Sequence, residues 1–135
     1  MTRRTAPPSG WPPPEEAALG GVRVLLGPLA EEIADRYFAR FPEDLRRYGA
    51  DVARAWEVHD TRHLLNWAIG SIEGHLDLDA QVSWLARVLS ARDFPLEHLA
   101  ANLEIAADVV AERLERGPLV AERLRAAATT VREAA

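Results

Sequence analysis

The chain has 135 residues, a length that fits a single domain with one hydrophobic core. Its 16 basic and 21 acidic residues give a formal net charge of -5, which argues against binding to the phosphate backbone of nucleic acids. Because the sequence contains no cysteine, disulfides, thiolate metal sites, cysteine nucleophiles and thioether-linked cofactors are excluded.

The first 14 residues, MTRRTAPPSGWPPP, hold five of the nine prolines and predict a flexible tail before a domain that spans residues 15–135. Trp11 within this tail is expected to pack loosely on the domain or on a partner. The tail contains no apolar run after its two arginines, and no later run is long enough to cross a bilayer. We therefore expect a soluble cytoplasmic protein that makes no membrane contact.

The remaining sequence predicts an all-α domain of about six to seven helices, because apolar residues recur at three-to-four spacing and Gly or Pro marks the breaks. The predicted helices cover about residues 14–26, 29–41, 42–48, 51–74, 79–92, 95–114 and 118–134. The last two have unbroken apolar stripes and are expected to form an antiparallel pair joined by a short turn.

The stretch WEVHDTRHLLNW, residues 56–67, places a carboxylate among residues that otherwise resemble core. At about 100 degrees per residue, Asp60 lies at the middle of an apolar helix face, within about 40 degrees of four neighbours. These neighbours are Ala53, Trp56, Leu64 and Trp67. A carboxylate in such a position needs hydrogen-bond donors, because its desolvation is costly without them.

The spacing leaves the source of those donors open. Asp60 could be the N-cap of a helix that begins at Thr61, or it could pair with Arg54 or Arg87. Alternatively, the donors belong to a ligand that bears N–H groups. In that case His59 and His63, which border the same face, would lie near the ligand, and three tryptophans would supply flat apolar walls. They are Trp56, Trp67 and Trp84.

The segment HDTRHLLNWAIGSI, residues 59–72, resembles part of the phycobiliproteins, and the helical stretch from about residue 15 to 133 is similar to their globin-like fold and to that of bilin-binding globin relatives. The resemblance implies that Asp60 accepts hydrogen bonds from the inner pyrrole nitrogens of an open-chain tetrapyrrole. His59 falls where that family has an arginine, and Glu57 falls where it has the cysteine that attaches the chromophore. Covalent attachment is therefore not expected.

Heme is the competing tetrapyrrole. In a globin the iron is held by a histidine on the helix after the one that faces the distal side, and the corresponding helix here, residues 79–92, has no histidine. A conventional heme globin is thus disfavoured, and iron ligation through His59 or His63 stays open. We predict that His75 and His98 are solvated or capping groups. No phosphate loop, zinc motif or activated nucleophile is present, so we do not expect an enzyme.

The leading hypothesis is a globin-like domain that binds a bilin such as biliverdin non-covalently, for sensing, carriage or support of bilin biosynthesis. Asp60 would bind the pyrrole N–H groups, and Arg54, Arg62 or Arg87 would meet the propionates. The alternative is a cofactor-free globin-like interaction module, a homodimer formed through its exposed helices, with Asp60 satisfied from within the protein. An atypical heme-binding globin is the third hypothesis.

Overall fold

The computed structural model describes residues 12–134. A two-stranded antiparallel sheet comes first, formed by β1 (Glu16–Leu19) and β2 (Val22–Leu25). Six helices follow within the described part of the chain: α1 (Leu26–Arg40), α2 (Pro42–Tyr48), α3 (Ala50–Ile72), α4 (Leu78–Ala91), α5 (Leu96–Arg113) and α6 (Gly117–Ala134). The predominantly helical class predicted from the sequence is confirmed, with the addition of the hairpin.

The predicted helix over residues 14–26 is wrong, because this segment forms the β-hairpin. Its turn consists of Gly20 and Gly21, which both have positive φ, 59° and 81°. Two adjacent residues with positive φ between paired strands are typical of a type I′ hairpin turn. Most residues other than glycine disfavour this backbone conformation. The inward residues Leu19 and Val24 are buried, so the hairpin covers one end of the helical core. At the turn, the backbone N–H of Gly20 donates to Glu73 at the end of α3.

The predicted tail lies mostly outside the described residues, and this includes Trp11. At its described end, the guanidinium of Arg62 on α3 donates to the carbonyl oxygens of Pro13 and Pro14, at 3.4 and 3.0 Å. The chain just before the hairpin is therefore bound to the middle of α3.

The core lies between α3, α5 and the helices that pack on them, α1, α4 and α6. Helix α1 begins with the buried Leu26 and turns its apolar stripe toward α3 and α5. The predicted stripe of α6 is fully or nearly fully buried, which confirms the periodicity. It comprises Val120, Leu124, Ala127 and Val131. Several small alanines of α5, such as Ala100 and Ala106, have no exposed surface and allow neighbouring helices to approach closely.

Helices α5 and α6 form the predicted antiparallel pair. Arg125 pairs with Asp108, and Arg132, farther along α6, pairs with Glu97 and with Glu104, which precede Asp108 on α5. The later residue of α6 therefore pairs with the earlier residues of α5, as expected for antiparallel helices. Within residues 12–134, no helix combines the length and apolar character that crossing a membrane requires.

Candidate functional site

A cavity of about 80 Å³ lies beside α3, between α1, α2, α5 and the end of α4. The residues of α3 that line it follow helical spacing and include Ala53, Trp56, Glu57, Asp60 and Leu64. This face is the one on which the sequence predicted Asp60 to lie. The cavity therefore has two carboxyl groups from α3 in an otherwise largely apolar and aromatic wall.

A second carboxyl-centred cluster forms the adjoining wall of the cavity. Asp44 on α2 is 3% exposed and accepts a hydrogen bond from the hydroxyl of Tyr37 on α1. Nδ1 of His98 on α5 lies 2.9 Å from the same carboxylate oxygen. The ring of His98 also stacks on Phe41, with 3.9 Å between ring centroids. Three helices are thus joined through one buried carboxylate.

The position of His98 corrects a prediction made from the sequence. We expected it to be solvated or to act as a cap, but its side chain is only 15% exposed and is held between Asp44 and the rings of Phe41 and Phe94. The reason is the short helix α2, which brings Asp44 under the start of α5. Neither the length of α2 nor its orientation is encoded in the local sequence around His98.

A hydrogen-bonded chain connects α5 to Glu57. The side-chain amide of Asn102 donates to Oγ1 of Thr61 at 3.1 Å, and Thr61 donates to a carboxylate oxygen of Glu57, also at 3.1 Å. Asn102 and Thr61 are both buried, at 4% and 0% exposed. These bonds fix Glu57 against the cavity wall.

The pKa of Glu57 is raised well above its ordinary value of 4.5. Burial is the largest cause, since it disfavours the charged form, and the negative charges of Asp60 and Asp44 act in the same direction. The hydrogen bond from Thr61 and the positive charge of Arg54 oppose this effect without cancelling it. Glu57 therefore holds its proton more tightly than an exposed glutamate does.

Two buried polar atoms of the cavity lining have no hydrogen-bond partner among residues 12–134. One is Oδ1 of Asn102, and the other is the hydroxyl of Tyr48. Burial also raises the pKa of Tyr48, so this hydroxyl stays neutral at physiological pH. An unsatisfied buried acceptor costs free energy, and a native protein seldom retains one without a reason.

Aromatic rings and one arginine form the mouth of the cavity. The guanidinium of Arg92 lies over the ring of Trp56 at 5.7 Å from the centroid, and Tyr48 lies 6.4 Å from the same ring. The loop that carries Arg92 is held in place by Arg47, which donates to the carbonyl oxygen of Asp93. Asp93 has a positive φ of 60°, a conformation that aspartate tolerates better than most residues.

Asp60 lies inside an uninterrupted α3, so it is not the N-cap of a helix beginning at Thr61. Its side chain is 13% exposed, and one of its oxygens lies 3.3 Å from Nδ1 of His59. Arg54, which was a possible partner, instead pairs with Glu31 and Asp35 on α1. A neighbouring histidine, rather than either predicted arginine, thus supplies a contact to Asp60.

The other predicted site residues do not line this cavity. Four of them form a ladder of aromatic rings in the order His59, His63, Trp67 and Trp84. The centroids of successive rings are 5.1, 5.6 and 6.5 Å apart. This ladder follows an adjacent stripe of α3 and ends at Trp84 on α4, which is 38% exposed. Of the predicted set, only Trp56 and Asp60 line the cavity.

Two further predicted residues, Arg54 and Arg62, border a second, more open depression of about 570 Å³ on another side of α3. His59 from the ladder also borders it. Arg87 is exposed on α4 and borders neither concave site. The nine residues predicted as one site are therefore divided between two faces of α3 and the surface of α4.

Sequence reasoning missed the residues that approach α3 from other helices and from the loop before α5, namely Tyr37, Asp44, Tyr48, Phe94, His98 and Asn102. One signal was available for Asn102, because it interrupts the apolar stripe of α5 between Leu99 and Leu103 as Asp60 interrupts that of α3. Between residues 12 and 134, no three His, Asp or Glu side chains are arranged so that they could hold a metal ion.

Comparisons with models of protein families, with curated proteins and with solved structures gave no match to this chain. The resemblance to the phycobiliproteins and the globin-like fold therefore stays a prediction.

Proposed function

We propose that this protein binds a linear tetrapyrrole such as biliverdin without a covalent bond, with pyrrole N–H groups donating to Asp60. Trp56 would pack on the ligand, and Glu57 would lie beside the same nitrogen atoms. The enclosure of both α3 carboxyl groups in one aromatic-walled cavity supports this role, because such an environment strengthens hydrogen bonds to a ligand.

The single observation that supports ligand binding most strongly is the buried oxygen of Asn102 that has no partner. It lines the same cavity as Glu57 and Asp60. A ligand with N–H groups would satisfy this acceptor. A ligand rich in carbonyl oxygens would not.

The size of the cavity restricts how a tetrapyrrole would enter. Sites for drug-sized ligands measure roughly 300–1,000 Å³, whereas the cavity holds about 80 Å³. One pyrrole ring fits this space, and the other rings would require the mouth to widen. Arg92 and Trp56 are partly exposed residues of the lining and contact each other, so displacement of their side chains is the motion that the proposal requires. His63, Trp67 and Trp84 would then contact the ligand only after such a rearrangement.

Absorption titration tests the proposal. We expect biliverdin to give a saturable shift and narrowing of its long-wavelength band, with affinity at least about tenfold lower in Asp60→Asn, because a charge-assisted hydrogen bond is lost. Asp79→Asn on the exposed first turn of α4 is the matched control and should behave as the wild type. No spectral change in folded wild-type protein would refute tetrapyrrole binding.

A parallel titration with hemin distinguishes heme binding from bilin binding. Neither His59 nor His63 lines the cavity, and their rings pack against each other and against Trp67. We therefore expect no Soret band that depends on either histidine. A band that is lost in His59→Ala or His63→Ala would favour heme over a bilin.

A cofactor-free interaction module is the second candidate, and one observation favours it: His59 already contacts Asp60 from within the protein. Exposed apolar side chains, including Leu119 and Trp84, could contribute to a homodimer. This candidate predicts a dimer in sedimentation analysis and no spectral response to either pigment. A monomer that binds biliverdin would exclude it.

A further inference from the structure

The inner end of the cavity is the region where Asn102 and Glu57 are joined through the buried Thr61. Among the described residues, Oδ1 of Asn102 has no hydrogen-bond partner, and Asn102 is 4% exposed. Within the described chain, Glu57 receives a side-chain hydrogen bond from Thr61. An amide oxygen and a carboxylate accept several hydrogen bonds each, so this end of the cavity selects a donor-rich group.

The charge of the wall points to a cation. Three carboxyl groups line the cavity, those of Asp44, Glu57 and Asp60. Arg92 and His98 also line the cavity, and Nδ1 of His98 lies 2.9 Å from Asp44, whereas Arg54 is engaged with two carboxylates of α1. A positively charged occupant would offset the repulsion between neighbouring carboxyl groups. The described residues offer no arrangement suited to a metal ion, which leaves an organic cation.

Size and shape narrow the class of cation. A buried water occupies roughly 10–15 Å³ on the same measure, so a cavity of about 80 Å³ holds roughly five to eight such positions. A guanidinium group has four heavy atoms, is planar, and offers paired N–H donors that match a carboxylate. It also stacks on aromatic rings, and Arg92 already places such a group over Trp56 at the mouth.

We propose that the inner end of this cavity is a binding site for the guanidinium group of a small free organic cation, held by Glu57 and Asn102 beneath the ring of Trp56. The inference rests on the proposed function in that both place a ligand in the same cavity. It differs in ligand class, since biliverdin has no guanidinium group, and the two ligands would compete for the space.

Calorimetric titration with methylguanidinium tests this site, with methylurea as the neutral molecule of the same shape and tetramethylammonium as a cation without N–H donors. Titration to roughly 10 mM is needed, because a ligand of so few atoms binds modestly. We expect saturable binding of methylguanidinium and at least about tenfold weaker binding of both controls. Equal binding of methylurea, or no binding by folded protein, would overturn the proposal.

Glu57→Gln keeps the shape of the side chain and removes its charge, and should weaken methylguanidinium binding about tenfold or more. Glu122→Gln removes one exposed carboxylate on α6 and is the matched control, expected to leave binding unchanged. Asn102→Leu tests the unpartnered oxygen and should also weaken binding. If neither cavity variant changes the affinity in folded protein, the site is elsewhere and the proposal fails.

The pH dependence of methylguanidinium binding provides a further test, because a Glu57 that had only a structural role would not affect it. The titratable and charged groups around Glu57 are Asp60 on α3, Asp44 and Tyr48 on α2, Tyr37 on α1, His98 on α5, Arg92 after α4, and Arg54. A bound cation favours ionised Glu57, whose pKa in the free protein is raised well above 4.5, so binding should release a proton and tighten as pH rises above that value. Glu57→Gln should abolish this tightening. An unchanged pH profile in that variant would contradict the role of Glu57.

The two proposals fail separately. Methylguanidinium binding without a biliverdin response would retain the cation site and refute tetrapyrrole binding. A biliverdin response with no methylguanidinium binding would do the reverse. If both bind, methylguanidinium should raise the apparent dissociation constant of biliverdin, because they share one cavity.

Discussion

Nδ1 of His98 lies 2.9 Å from Oδ2 of Asp44, although the two residues are 54 positions apart in the sequence. The hydroxyl of Tyr37 donates to the same oxygen, so the carboxylate joins α1, α2 and α5. This network forms one wall of the cavity and fixes α2, the shortest helix described. Because Asp44 is nearly fully buried, its hydrogen bonds should contribute more to stability than exposed polar contacts do.

The two tyrosines of the cavity wall provide a matched test of this network. Tyr37→Phe removes a hydrogen bond to a buried carboxylate and should lower the free energy of unfolding by about 1.5–3 kcal/mol. Tyr48→Phe removes a hydroxyl that has no partner, so it should change stability by less than about 0.5 kcal/mol or increase it. Chemical denaturation of both variants measures the difference. Equal losses would show that the Tyr37–Asp44 bond has no special role.

Glu57→Gln should stabilise the free protein at neutral pH, by about 1–3 kcal/mol, because it removes a partly buried carboxyl group close to the negative charges of Asp60 and Asp44. The pKa of Glu57 is raised in the folded state, so the folded protein retains a proton that the unfolded chain loses. In the wild type, its contribution to stability is therefore full below about pH 4.5 and declines as pH rises toward the folded-state pKa.

Chemical denaturation measured at several pH values tests the direction of this pH dependence. The stability advantage of Glu57→Gln over the wild type should grow from acidic to neutral pH, and Glu122→Gln, on the exposed face of α6, should show no such trend. An advantage that shrinks with rising pH would mean that Glu57 is favourably paired as an anion, contrary to its surroundings.

Gly117 at the start of α6 has no room for a side chain. An added Cβ would lie 1.9 Å from the carbonyl oxygen of Val110 on α5, so Gly117→Ala must separate the two helices. We expect it to destabilise the protein by about 2–4 kcal/mol or to prevent folding. Gly27→Ala is the control: apart from its chain neighbours and the nearby backbone of α1, no atom of the described residues lies within 4 Å of its added Cβ, and alanine favours a helix by up to about 1 kcal/mol. Thermal unfolding of both variants tests the contrast.

The periodic helices were predictable because their apolar stripes reflect one-sided burial, which depends on local spacing. The stripe of α6 and the pairing of α5 with α6 are examples. The hairpin was missed for a different reason. Residues 14–26 contain enough apolar side chains to suggest a helix, but the Gly20-Gly21 pair between short runs is the stronger signal, since only a turn uses two adjacent residues of positive φ.

The candidate site was only partly predictable. The position of Asp60 on an apolar face was sufficient to place one wall of the cavity, because the angular position of a residue on a helix depends only on its number. The opposite walls depend on how α2 and α5 pack against α3, which tertiary contacts determine. Helical spacing also could not show that Trp67 and His63 share a stripe next to the cavity rather than its lining.

The most direct test of a ligand in this cavity is the indole N–H resonance of Trp56, followed by NMR during titration with biliverdin. Substitution of each of the four tryptophans by phenylalanine assigns the resonances. The account predicts that the Trp56 resonance shifts most and saturates with the absorption change, because its ring lines the cavity. Saturable shifts confined to Trp67 and Trp84, with Trp56 unmoved, would place any ligand on another face of α3 and contradict the account.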